Sequence, residues 1–204
     1  MSDTAIPYMV KPHPVTGIPN GKFGIWLFLA SEVMLFGALF SSYVLIRTGA
    51  PHWPPEGGLS SEVLNVPLAT LNTFILIGSS VTVIMAWSHL RLGDFKKGKM
   101  YIVLTLLCAL GFLIIKGFEY GHKFELHHYP KTNNFFATYF VMTGLHGLHV
   151  LGGVAVFIYF LTPWGQAMWH KNQQQYTNRI EVTGLYWHFV DLVWIFLFPT
   201  LYLL

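Results

Sequence analysis

The side chains that could do chemistry are Glu32, Lys116, Glu119, His146, His149, Glu181, His188 and Asp191, because each is ionisable and lies in or beside an apolar run. Glu32 is the only charge between Lys22 and Arg47. At the centre of a membrane helix a carboxyl costs at least about 3 kcal/mol unless it is protonated, hydrogen-bonded or wetted. Glu32 is therefore expected to be neutral and to face a protein interior, where it either specifies helix packing or serves a function. Lys116 and Glu119 are three residues apart on one helix face and can pair. They read as an interfacial ion pair with the lysine stem reaching outward. His146 and His149 share a face at helical spacing, which could hold a metal. Their neighbours Gly144, Gly147, Gly152 and Gly153 favour a closely approaching helix and imidazoles hydrogen-bonded across it. His188 and Asp191 are again three apart, and a carboxylate can fix the tautomer of a histidine. His52, His122, His127 and His128 read as loop residues.

The elements that must position these groups are membrane helices. The 204-residue chain is 53% hydrophobic, 17% aromatic and only 10% charged, against about 25% charged in soluble domains. Its apolar runs, about 23–46, 66–90, 100–120, 134–161 and 180–204, are too long for barrel strands of about 9–11 residues. The expected fold is all-α, a bundle of five transmembrane helices behind a polar, proline-rich arm at 1–22. The first span is about 36 Å long as a helix, enough to cross a hydrocarbon core of about 30 Å. It carries the small-residue pairs Gly37/Ser41 and Ala38/Ser42, which permit close helix approach. Residues 47–65 and 162–179 read as loops, with Trp53 as an interface anchor.

Basic residues gather on the side of the amino terminus (Lys11, Lys22, Arg91, Lys96, Lys97, Lys99, Lys171, Arg179). The positive-inside rule then places the amino terminus in the cytoplasm and the carboxyl terminus outside. The net charge of +3 is scattered and forms no basic stripe for nucleic acid. Cys108 alone can make neither an internal disulfide nor a CxxC metal or haem site. No cleavable signal peptide is visible. The residues by themselves leave open an autonomous metal-binding membrane protein using His146, His149, His188 and Glu32, and a transporter without evident repeats.

Six stretches extend the reading: LASEVMLFGALFSSY at 29–43, HWPP at 52–55, VPLATLNTFILIGSSVTV at 66–83, GFEY at 117–120, TGLHGLHVLGG at 143–153 and YWHFVDLVWIFLFP at 186–199. They touch all five spans, and as an ordered set they resemble subunit III of the haem–copper terminal oxidases in its short bacterial form. The resemblance implies an accessory subunit without catalytic residue, haem or copper, in a bacterial inner (cytoplasmic) membrane. Haem and copper would sit in partner subunits, with subunit I in direct contact and subunit II and small subunits in the same complex. Such a subunit binds phospholipid in a helix cleft and supports proton uptake and lasting activity of a proton-pumping oxidase reducing O2 with electrons from cytochrome c. A quinol oxidase and a nitric oxide reductase are the neighbouring alternatives. By the same resemblance, Glu32 matches the family's buried, carbodiimide-reactive carboxylate. His146, His149, His188, Asp191 and Glu119 match helix-packing polar positions, not metal ligands.

Overall fold

The computed structural model describes residues 17, 19–54 and 64–204. The arm before residue 17 and the middle of the proline-rich 47–65 loop lie outside the described residues. Among those described, the elements are all helical: α1 (Asn20–Gly49), α2 (Val66–Arg91), α3 (Phe95–Glu125), α4 (Asn134–Leu161), α5 (Pro163–Lys171) and α6 (Gln173–Phe198), the last closed by a π turn, Pro199–Leu203. Five of them are long and apolar enough to cross a membrane.

Helix starts follow local chemistry. The side chains of Asn65, Asp94, Asn133, Thr162 and Asn172 each accept a hydrogen bond from the backbone N–H three residues on, satisfying a donor that the first turn leaves unpaired. The Lys97 N–H on Asp94 holds that exposed carboxyl below the usual carboxylate range. Gly93, at φ 83°, supplies the left-handed residue that lets α2 turn back into α3.

The helices extend beyond the apolar runs. The third span, predicted at 100–120, runs from Phe95 to Glu125. The stretch 162–179, predicted as a loop, holds α5 and the first turns of α6. Hydropathy sees only the part of a helix that meets lipid. Thr162 with Pro163 starts α5, Asn172 starts α6, and the glutamines that follow are good helix formers.

Helix α6 is central and packs on α1, α2, α4 and α5, while α3 packs on α2 and α4. Two indoles tie α6 to α2: Trp187 Nε1 donates to Ser79 Oγ (2.9 Å) and Trp194 Nε1 to Thr73 Oγ1 (3.0 Å). Both tryptophans are fully buried. By contrast, α1 lies at the edge and buries only Leu29, Phe36 and Tyr43, a stripe seven residues apart. Gly37, Ala38, Ser41 and Ser42 are exposed, so the close approach expected of them is not made by a described helix of this chain. Trp53 packs its ring between Tyr43 and Phe135 and donates to the Tyr43 hydroxyl (3.2 Å).

The glycines of α4 divide in the same way. Gly153 meets Trp187, and a Cβ there would lie 2.5 Å from the indole; a Cβ at Gly147 would meet nothing within 4 Å. Replacing Gly by Ala in a helix gains about 1 kcal/mol in propensity, while overpacking a rigid core costs about 1–3 kcal/mol. Gly153→Ala is therefore expected to lower the thermal midpoint of the purified protein and Gly147→Ala to raise or preserve it. Equal midpoints for the two variants would contradict this packing.

Candidate functional site

Two polar centres sit inside the bundle. The first joins α1 to α4. Glu32 Oε2 lies 2.8 Å from His149 Nε2, and both side chains are largely buried, at 13% and 14% exposure. The other ring nitrogen, Nδ1, lies 2.8 Å from the Leu145 carbonyl, which can only accept. Nδ1 therefore carries a hydrogen, and the Glu32–His149 line holds one shared proton. The pair is either acid with imidazole or carboxylate with imidazolium, and in both forms its net charge is zero. That matters at this depth, where a net charge is costly. Phe36, one turn along α1, meets the His149 ring edge-on at 5.2 Å. The carbonyl of His149 also accepts from the Tyr186 hydroxyl (2.9 Å), drawing α6 into the same junction.

The second centre is built on Glu119. Its Oε1 accepts from the hydroxyls of Tyr139 (2.8 Å) and Tyr202 (2.7 Å), and its Oε2 accepts from Lys116 Nζ (2.8 Å). Lys116 also bonds the Tyr202 hydroxyl and lies over the rings of Trp194 (4.6 Å), Tyr202 (4.9 Å) and Tyr139 (5.7 Å). The lysine expected to reach outward is instead buried, at 8% exposure, with Glu119 at 4%. Three aromatic faces and a carboxylate replace the water it would otherwise seek, and cation–π contact gains strength when the ion is desolvated. One turn along, Tyr120 and Thr143 share a hydroxyl bond of 2.5 Å between α3 and α4.

The remaining sequence-predicted residues separate. His188 Nδ1 bonds Ser80 Oγ on α2 rather than Asp191. Asp191 is buried and faces that same serine, but neither of its oxygens meets hydrogen-bond geometry. His146 is fully buried between Phe112 and Trp194, and neither ring nitrogen has a partner. So His146 and His149, on one face in the sequence, serve different surroundings. Among the described residues no three of His, Cys, Asp and Glu converge on a point that could hold a metal ion. Glu181, at one end of the bundle, pairs with Lys22 (2.7 Å). Tyr139 and Tyr202 were missed in the sequence because they meet Glu119 across 20 and 83 residues, and no local spacing encodes such a meeting.

Residues 11–204 match the protein family described as cytochrome c oxidase subunit III. Among curated relatives, cytochrome c oxidase subunit 3 of Thermostichus vulcanus is 37% identical over 183 residues, covering 89% of this chain and 86% of the relative. That of Synechocystis is 35% identical over 200 residues, covering 95% and 80%. A probable quinol oxidase subunit 3 of Staphylococcus aureus is 29% identical over 183 residues, covering 90% and 88%.

The two centres differ in how they respond to loss of charge. Glu119→Gln leaves Lys116 buried without a counter-ion and is expected to destabilise the protein by about 3–5 kcal/mol. Tyr202→Phe removes one hydrogen bond to a charged group and should cost about 1.5–3 kcal/mol. Glu32→Gln should keep α1 docked, because an amide N–H can donate to His149 Nε2, whereas Glu32→Ala should loosen α1. Thermal melting of the purified variants measures the first pair, and limited proteolysis at the α1 end measures the second. A Glu119→Gln protein as stable as the parent, or a Glu32→Gln protein as loose as Glu32→Ala, would contradict the geometry.

Proposed function

The chain belongs to the cytochrome c oxidase subunit III family, and from this we propose that it is the non-redox accessory subunit of a proton-pumping, haem–copper oxidase. It packs directly against subunit I, alongside subunit II and small subunits, and supports the stability and proton uptake of that catalytic core. Haem and copper belong to the partners, and phospholipid occupies part of its surface. The complex reduces O2 to water in a bacterial inner membrane, with the amino terminus of this chain on the cytoplasmic side.

The observation that carries this reading is how its buried ionisable side chains are used. Glu32 with His149, Lys116 with Glu119 and His188 with Ser80 each join one helix to another or close a bundle end. They act as struts, which suits a subunit that supports chemistry elsewhere. Cytochrome c as electron donor is supported by the names of the cyanobacterial relatives at 35% and 37% identity. A quinol donor is the second reading, favoured by the Staphylococcus aureus relative at 29%.

Two measurements test the proposal. A mild-detergent pull-down through a tag on the amino-terminal arm is expected to bring a haem-bearing subunit, visible in the reduced spectrum. Oxygen uptake with reduced cytochrome c or with a quinol then identifies the donor. Deleting the chain should leave haem and copper spectra unchanged while turnover decays faster during sustained activity. Loss of the haem signal on deletion, or a colourless pull-down from respiring cells, would overturn the accessory role.

A further inference from the structure

At the end of the bundle where α1 and α6 begin and α2 ends, the three helices enclose a polar chamber of about 410 Å³. Ligand sites commonly span about 300–1,000 Å³. The α6 wall of the chamber, Gln173, Gln174, Thr177 and Asn178, lies before the apolar run that starts at Ile180. At about 1.5 Å per residue, that wall begins roughly 10 Å short of the run. The chamber therefore sits at the aqueous edge of the bundle, within reach of a segment that never enters the hydrocarbon. Its amide side chains offer donors and acceptors together, which is what a peptide backbone requires of its surroundings.

The charge of this end calls for an acid from elsewhere. Its carboxylates among the described residues are Asp94 and Glu181, and both are taken, Asp94 by Lys97 (3.4 Å) and Glu181 by Lys22 (2.7 Å). Lys96, Lys171 and Arg179 of the same end meet no carboxylate among the described residues. Inside the chamber the Lys22–Glu181 pair is neutral. Arg91 keeps its full charge: its guanidinium lies 5.3 Å from the Trp87 ring centroid and has no carboxylate partner among the described residues. Two helix starts and one helix end surround the space, so their dipoles add about half a positive charge more. A guanidinium pairs best with a carboxylate or a phosphate, two oxygens at a time. Position decides between them, because a lipid phosphate is tied to acyl chains in the hydrocarbon, whereas these polar walls lie beyond it.

We propose that this chamber receives an acidic segment of a neighbouring protein subunit, with one Asp or Glu carboxylate on Arg91 and the segment's backbone on the amides of Gln174 and Asn178. The site rests on the reading of the chain as an oxidase subunit and adds to it the end of the bundle, and the chemistry, by which a partner is held. The contact is an ion pair at an aqueous edge, so salt weakens it: the screening length falls to about 3 Å at 1 M.

The test is zero-length cross-linking of the purified oxidase complex. A water-soluble carbodiimide joins a carboxylate to an amine that touches it but leaves a guanidinium alone, so the complex is prepared with Arg91→Lys, and the parent and Arg91→Gln serve as blanks. The Lys22–Glu181 pair at 2.7 Å is the internal control. Expected by mass spectrometry is one cross-linked peptide joining position 91 of the Arg91→Lys chain to an Asp or Glu of another subunit, absent from both blanks. Arg91→Gln should also release the chain from the complex about two- to fivefold faster in detergent, the worth of one exposed ion pair, and the difference should vanish in 1 M salt. A cross-link from position 91 to Glu181, no cross-link while the control forms, or equal release of parent and Arg91→Gln would each overturn the site. A phosphatidylglycerol held by the parent and lost in Arg91→Gln, without a cross-link, would overturn it in favour of a lipid headgroup. The visible spectrum of the same sample keeps the two readings apart. A chain recovered without haem overturns the subunit assignment, whereas a haem-bearing complex without the cross-link overturns only this site.

Discussion

Hydrocarbon offers a buried charge no water, and this constraint organises the bundle. Glu119 answers it most completely: three donors from α3, α4 and the terminal π turn occupy its two oxygens, and Lys116 gives the counter-charge. The energetic meaning lies in what would follow if a donor were absent. An isolated buried ion costs several kcal/mol even after relaxation, far more than the roughly 0.6 kcal/mol of an average interhelical hydrogen bond in a membrane protein. Geometry at that end is therefore set by the ion pair. The neutral indole–hydroxyl bonds between α6 and α2 adjust register within the frame it defines.

Helix α1 shows the opposite regime. It buries a single narrow stripe, yet it is fastened at three depths. Lys22 meets Glu181 at one end, Glu32 meets His149 in the middle, and Tyr43 and Arg47 reach backbone carbonyls of the α6 extension at the other. Wide apolar faces carry little orientational information in lipid, since tails solvate leucine as well as another helix does. Polar bonds spaced along the axis supply it instead, fixing both rotation and height. The exposed small residues of α1 are then free to face a neighbour outside the chain.

Much of this was legible in the sequence. Five apolar runs bounded by charges gave the helices, and isolated ionisable residues inside them marked where interhelical contacts would fall. The helix ends were less legible, because α3 and α6 continue into polar residues that hydropathy assigns to loops. Partner choice was least legible. Spacing placed His188 beside Asp191 and His146 beside His149, but each has neighbours on other helices that decide its contacts. Lys116 failed for the same reason: its burial depends on Trp194 and Tyr202, from a helix far along the chain.

That distance along the chain has a consequence for biogenesis. Tyr202 reaches Glu119 from 83 residues downstream. At about 5–20 residues per second, the ribosome needs roughly 4–17 s to supply it after Glu119 is made. Throughout that interval the aromatic enclosure of the ion pair is incomplete, with Tyr139 of α4 made early and Trp194 and Tyr202 last. Until then, the direct Lys116–Glu119 contact, made within one helix, is the pairing that α3 carries by itself. Completion of this centre therefore depends on the last spanning helix, although both of its charges belong to the third.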